Sequence, residues 1–365
     1  MVHLFQVFGT VVNILLSVNL FVHIWLLGWF QKKKRIGASV ALIAAGLSIF
    51  VGKNLFSTAG MALLTLNMVL IAFDIFVWIL KIFGKGNPYA FFKKWKKRGL
   101  AFLCAALYCA YGLINVHIVR ETTYSFENAS VPGSFTVAVV SDAHLGTVIH
   151  ADNLASKIEK AISSGAEIVV LAGDIVDEST DRNEFLDFAR MMQSVRAPKG
   201  IYFVFGNHDA SHYGGNITRS DMETELSKAG ITVLTDEGIV LDGWLRIIGR
   251  EDANRNRKEL SELLKGANPE NELILMIDHQ PAETRQCAEM GVDLLVSGHT
   301  HNGQIFPVNW LSVLLNINEI EYGHKQIDDM HAVVSSGIAG WASAFRTAGK
   351  SEYVIITLKS PEWTK

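Results

Sequence analysis

Five short apolar runs in the C-terminal two-thirds of the chain each stop at an Asp, Asn or His, and nothing else in the sequence constrains the fold as much. Phe135–Ser141 leads into Asp142-Ala143-His144. Ala166–Ala172 leads into Gly173-Asp174-Ile175-Val176-Asp177. Gly200–Phe205 leads into Gly206-Asn207-His208-Asp209. Leu273–Ile277 leads into Asp278-His279-Gln280-Pro281, and Val292–Val296 into Gly298-His299-Thr300-His301. Helix-like stretches separate them at 151–163, 182–195, 220–229, 258–264 and 282–290. Asp242-Gly243 reads as a hairpin turn between strands over 231–241 and 244–248. Aliphatic strands alternating with helices predict an α/β domain large enough for a full core. In such sheets ligands bind at the carboxyl ends of the strands. The five polar ends are therefore expected to converge on one site.

Each motif alone has an ordinary explanation. Asp-x-His can cap a helix, Gly-Asp-x-x-Asp can make a turn, Asn-His-Asp can make an Asx turn, and His-x-His can be a surface pair. Their recurrence at five strand ends favours a single cluster of donors. Carboxylates, imidazoles and an amide oxygen together suit Mn, Fe, Zn or Co, whereas calcium takes oxygen ligands only. The donors suffice for two ions, with a carboxylate between them as a bridge. Cysteine adds nothing here. Cys104, Cys109 and Cys287 contain no Cys-x-x-Cys pair, and only Cys287 lies after residue 120.

The first 120 residues differ in kind. They carry 13 Lys/Arg and one acid, Asp74, while residues 121–365 carry 20 Lys/Arg and 35 Asp/Glu. Apolar runs at 4–30, 36–51, 59–80 and 99–119 predict four transmembrane helices. Basic clusters follow the first run (Lys32 to Arg35) and the third (Lys81 to Arg98). With both clusters in the cytoplasm, four crossings put everything after residue 120 on the extracytoplasmic side of a multi-pass cell-membrane protein. Asp74 is expected near a membrane face, paired with Lys81 or bonded to a neighbouring helix. The predicted organisation is a transmembrane region over 1–120, a polar linker over 121–133 and a catalytic domain over 134–365.

The order Asp-x-His, Gly-Asp-x-x-Asp, Gly-Asn-His-Asp, His, Gly-His-x-His resembles the calcineurin-like metallophosphoesterase superfamily. The membrane-anchored, bacterial-type phosphodiesterase branch is the most similar, with Ser335 to Arg346 resembling its glycine-rich C-terminal segment. The resemblance implies a four-layer αββα sandwich after the membrane helices, and a dinuclear-metal phosphoester hydrolase. Asp142, His144 and His301 would hold the first divalent metal, and Asn207, His279 and His299 the second, with Asp174 bridging; manganese is among the metals implied. His208 would face the phosphate and protonate the leaving oxygen, Asp209 would orient His208, and Asp177 would support a ligand from behind. Asn302 stands where many relatives have glycine, at the mouth of the site.

The reaction expected is in-line attack at phosphorus by a hydroxide shared between the metals, on a phosphodiester or pyrophosphate of a lipid-linked or cell-envelope molecule. Membrane lipids are an expected partner and a nucleic-acid duplex is not. Two features point to lipid: the membrane helices, and the apolar stretch Ile305 to Leu315 directly after the His pair. That stretch either covers the sandwich edge or dips into the headgroup region with Trp310 at the interface. Two other readings are a tethered hydrolase of soluble nucleotides or phosphomonoesters, with Trp244, Trp310 and Trp341 as candidate stacking residues, and a non-enzymatic membrane ligand sensor.

Overall fold

In a computed structural model, residues 2–25, 34–51, 54, 56–83, 97–209 and 213–361 are described. The chain divides into two compact units, 1–115 with 342–347, and 116–341 with 348–365.

The first unit contains helices α1 (Val2–Trp25), α2 (Lys34–Val51), α3 (Thr58–Phe83) and α4 (Lys97–Asn115). Polar side chains stitch them together. Asn13 donates to the Ile49 carbonyl at 2.9 Å, Ser48 bonds Ser17 at 2.6 Å, and Asn19 donates to Asn67 at 2.9 Å. Asp74 lies 3.1 Å from the buried His23 imidazole of α1, a contact with a neighbouring helix, while the Lys81 side chain lies outside what is described.

The expectation of four membrane spans is corrected. Among the described residues one helix, Thr58–Leu80, is long and apolar enough to cross a bilayer, with a mean hydropathy of 2.3 over its apolar window. Val11–Trp25, Arg35–Val51 and Gly99–Asn115 are shorter apolar stretches of 10–17 residues. For α2 and α4 the reason is length. Lys34 and Arg35 open α2 and Lys97 and Arg98 open α4, so the uncharged part of each is at most 17 residues. At 1.5 Å per residue that is about 25 Å, against ~30 Å of hydrocarbon. The multi-pass and extracytoplasmic expectations counted four crossings and lose their premise with them.

The second unit carries two six-stranded sheets. Its strands are β1 (Val119–Glu127), β2 (Ser134–Val140), β3 (Ile168–Ala172), β4 (Ile201–Val204), β5 (Ile231–Val233), β6 (Glu237–Leu241), β7 (Leu245–Gly249), β8 (Leu273–Ile277), β9 (Leu294–Ser297), β10 (Gly323–Ile327), β11 (Met330–Val334) and β12 (Ser351–Lys359). One sheet has the order β1-β12-β2-β3-β4-β5 and the other β10-β11-β9-β8-β7-β6. The strands carrying the five motifs are parallel to their motif-bearing neighbours, β2 to β3 to β4 and β8 to β9. Helices α5 (Ala151–Ser163), α6 (Arg182–Met192), α7 (Arg219–Lys228), α8 (Leu260–Leu263) and α9 (Thr284–Glu289) supply the outer layers, and α10 (Val308–Leu315) follows the His pair.

The four layers follow from the period-two alternation of strand side chains. In β3, Ile168, Val170 and Ala172 join the core between the sheets, while Val169 and Leu171 join the core under the helices. In β8, Leu273, Leu275 and Ile277 face the other sheet, while Ile274 and Met276 pack with Leu260 and Cys287 of α8 and α9. Both faces of these central strands are buried, which is why their runs are unbroken apolar sequence.

Two other expectations change. The predicted linker over 121–133 is largely strand: β1 pairs in parallel with β12 from Val119↔Ser351 to Glu127↔Lys359. Its half-exposed, hydroxyl-rich sequence, Arg120-Glu121-Thr122-Thr123-Tyr124-Ser125, is that of an edge strand and reads as polar connector. The expected strand over 231–241 is broken: β5 closes one sheet and β6 opens the other, with Asp236 at φ 49° in the turn between them. The β6–β7 hairpin does turn at Asp242 and Gly243, both at positive φ as a type I′ turn requires.

Candidate metal centre

The ends of β2, β3, β4, β8 and β9 deliver their polar residues to one place. Two groups of donors form. Asp142, His144 and His301 bring ligand atoms within 4.8 Å of one another, and so do Asp174, His279 and His299. In the first, the Nε2 atoms of His144 and His301 face each other at 3.2 Å, and His301 Nε2 is 3.4 Å from Asp142 Oδ1. In the second, Asn207 Oδ1 lies 2.7 Å from His299 Nδ1 and 3.1 Å from His279 Nε2. One Asp174 oxygen, Oδ2, sits between the groups, 3.2 Å from His279 Nε2 and 3.8 Å from His144 Nε2. All seven residues expected as ligands are thus gathered in one place, with Asp174 near both groups.

The donor set fits divalent cations. Ligand atoms bonded to one ion at ~2.0–2.2 Å lie about 3 Å from each other, the spacing seen here. Two imidazole nitrogens in van der Waals contact need a proton or a cation between their lone pairs. The rings are also held from behind: His279 Nδ1–H donates to the Ala172 carbonyl at 2.8 Å, and His144 Nδ1 lies 3.3 Å from Asp177 Oδ2. Both contacts aim Nε2 at the site, as outer partners of metal-binding histidines do.

The backbone bends sharply to achieve this. Asp142, His144, Asp174, His299 and His301 have φ between 40° and 73°, a region that residues other than glycine seldom occupy. Two glycines make the room. A Cβ on Gly206 would overlap the Asp174 carboxylate, and one on Gly298 would overlap that of Asp142.

Electrostatics follow burial and neighbours. Burial alone would raise the Asp174 carboxyl, but His279, then His144 and His208, outweigh it and hold it far below the usual range. Burial likewise opposes ionisation of Asp177, and the His144 contact overrides it, lowering the carboxyl to about 2. Burial, reinforced by the neighbouring His279, keeps the His299 imidazole neutral down to about 4, the state in which its lone pair is free for a metal.

His208 stands beside the donors without joining them. Its ring lies 5.4 Å from that of His144, and the rings of Tyr213 and Trp341 approach it at 5.1 and 5.3 Å. Its Nδ1–H donates to Glu178 Oε1 at 2.8 Å. Burial would lower the His208 pKa, and the Glu178 bond raises it instead.

Glu178 was not singled out by the sequence, which assigned the orienting role to Asp209. That assignment is corrected. Asp209 is fully buried and accepts three backbone N–H bonds, from Asp174 at 2.7 Å, Gly206 at 2.8 Å and Val176 at 3.1 Å. It braces the loops that carry Asp174 and Asn207. Burial, then the Asp174 charge, push its carboxyl up to about 7. The only signal that would have found Glu178 is its position directly after the Gly-Asp-x-x-Asp motif.

Of the candidate stacking tryptophans, Trp341 is beside His208, Trp244 packs edge-on against Phe135 at 5.4 Å, and Trp310 is exposed on α10. Asn302 adopts φ 48°, and its side chain borders Gly349.

Residues 135–303 match the model of the calcineurin-like phosphoesterase family. An uncharacterized metallophosphoesterase of Aquifex aeolicus is 29% identical over 264 residues, 70% of this chain and 97% of that one. A putative metallophosphoesterase of Caenorhabditis elegans is 27% identical over 71% of this chain and 56% of its own length. A transmembrane protein with metallophosphoesterase domain from Bos taurus is 26% identical over 62% of this chain and 53% of its own. The chain thus spans little more than half of the latter two. Among solved structures, a dimetal phosphatase from Danio rerio is similar at a TM-score of 0.39 and 12% identity, over 56% of this chain and 87% of that one.

Proposed function

We infer that the chain belongs to the calcineurin-like phosphoesterases and is a metal-dependent phosphoester hydrolase, and on that premise that it cleaves phosphodiester or pyrophosphate bonds of a lipid-linked or cell-envelope substrate while held at a membrane by Thr58–Leu80. The observation that carries the reaction is the position of Asp174 Oδ2 between two complete donor groups, with His208 alongside. Asp142, His144 and His301 would hold one ion, and Asn207, His279 and His299 the other, with Mn, Fe, Zn or Co suiting this mixture of donors. When bound, such ions would supply charge to neutralise phosphoryl oxygens and to lower the pKa of a water. The chain's own residues do the rest. Asp174 keeps the two groups at a fixed separation. His208, held by Glu178, presents its Nε2 side to the leaving oxygen and gives it a proton. Trp341 and Tyr213 limit the rotation of that ring.

The membrane part rests on the length and hydropathy of Thr58–Leu80 and on relatives that carry a transmembrane label. One observation favours a second substrate class: Trp341 and Tyr213 beside His208 offer faces on which the base of a soluble nucleotide would stack.

The test is hydrolysis of bis-p-nitrophenyl phosphate by the full chain after chelation and readdition of Mn, Fe, Zn or Co. Activity should vanish on chelation and return with at least one metal, and Asp174→Ala should abolish it with the thermal transition retained. Turnover by the chelated protein or by Asp174→Ala would sink the assignment.

A further inference from the structure

The apolar stretch after the His pair does not cover the sandwich edge. Ile305 is buried, but the apolar side chains of α10 and the preceding Phe306 are exposed, with Trp310 66% and Leu314 78% accessible. At 100° per residue, Val308, Trp310, Leu311, Val313, Leu314 and Leu315 sweep an apolar arc of roughly 220° around the helix. The remaining side carries Asn309 and Ser312 and faces the domain. Asn309 closes on Gly303, and the buried Ser312 donates to the Glu321 carboxylate. Val308–Leu315 contains no charged residue, and Phe306 and Ile317 extend the apolar surface at either end.

We propose that α10 is an interfacial anchor that inserts its apolar arc into a lipid bilayer beside the metal centre. The occupant follows from the width of the arc. A helix docking on another protein presents a stripe of ~100°. An arc twice as wide, without a polar rim, suits a medium that is apolar from every direction. Eight residues reach only about 12 Å, too short to span the membrane, so the helix lies in the interface plane with Trp310 as its amphipathic residue. The bilayer is at hand if Thr58–Leu80 crosses it, and a tether raises the effective concentration of the surface. The inference rests on the membrane attachment proposed above and narrows the substrate: His301 is only seven residues before Val308, so an inserted α10 sets the donor groups near headgroup level, where a phosphoester of a membrane lipid lies.

The experiment uses the full chain with Cys104→Ala and Cys109→Ala, reconstituted into phosphatidylcholine–phosphatidylglycerol vesicles. A bimane label is placed at Leu314→Cys or, as control, at Val240→Cys on the exposed strand β6. Doxyl groups in the acyl chains should quench the label at 314 at least ~2-fold more than that at 240, unchanged between 0.15 and 1 M salt because the attachment is apolar. Equal quenching at the two positions overturns the proposal. So does a label at 314 shielded from the lipid quencher by concentration-dependent cross-linking of two copies, which would assign α10 to a homodimer contact. The double variant Trp310→Glu, Leu314→Glu should lose ~10-fold or more of its activity on a lipid-linked diester in the same vesicles and keep its activity on bis-p-nitrophenyl phosphate; equal loss on both substrates counts against the anchor. Selective quenching without hydrolysis of either substrate leaves the anchor standing and removes the hydrolase reading. Hydrolysis without selective quenching does the reverse.

Discussion

Glu178→Ala separates a positioning role from a structural one. The carboxylate is one-third exposed and accepts from a His208 side chain that is 14% exposed. A hydrogen bond to a charged group is worth ~1.5–3 kcal/mol, and partial exposure screens this one, so about 1–2 kcal/mol is left for holding the ring. Lost only from the transition state, that is about 5- to 30-fold in kcat. The loss should depend on the leaving group. In its proposed role as proton donor His208 matters when the departing oxygen is basic, so a diester with an alkyl leaving group should suffer more than bis-p-nitrophenyl phosphate. Steady-state kinetics on both substrates, with KM nearly unchanged, would bear this out. Equal losses on the two, or a change confined to KM, would refute the reasoning. The companion variant Asp209→Ala should behave oppositely. It strips the acceptor from three buried N–H groups at ~1–3 kcal/mol each. The melting temperature should therefore fall by at least ~6 °C, with activity lost through the fold. An Asp209→Ala protein as stable as the parent would reinstate it as a partner of His208.

Other perturbations read other parts of the structure. Gly206→Ala should leave a folded protein with weakened metal binding, because its methyl displaces the Asp174 carboxylate; calorimetric Mn titration unchanged from the parent would contradict the crowding. Cys287 should stay unmodified by iodoacetamide at pH 8 until the domain unfolds, since burial and then the Asp278 charge push its thiol up to about 12. His324 and His331 lie 2.9 Å apart with both imidazole pKa values lowered, by burial and, for His331, also by His324. Their folded values lie below the unfolded ~6.5, so the stability they contribute is present above that pH and lost as pH falls through it. Ring titrations followed by NMR should have midpoints under 6.5, and His331→Phe should reduce the loss of thermal stability between pH 7.5 and 5.5.

Much of the centre was legible because strand-end chemistry is local. A buried parallel strand is an unbroken apolar run, and the residue after it stands at the edge where ligands gather, so Asp142, Asp174, Asn207, His279 and His299 could be read straight from sequence. Edge elements were not legible. β1 exposes hydroxyl and charged side chains, and its partner β12 lies more than 200 residues away. The membrane spans were over-read because an apolar run does not say whether the helix it forms is long enough: α4 stops at Asn115, short of the expected 119, and α2 ends at Val51.

The sequence by itself determined which residue types stand at the five strand ends and the sheets that present them, because a run's burial and its terminal residue are properties of a few consecutive positions. Only the tertiary structure decided that Glu178 rather than Asp209 holds His208, that Asp74 meets His23, and that α10 is left uncovered. Adjacent residues such as His208 and Asp209 leave the backbone in different directions, and what each meets depends on segments brought in from elsewhere in the chain.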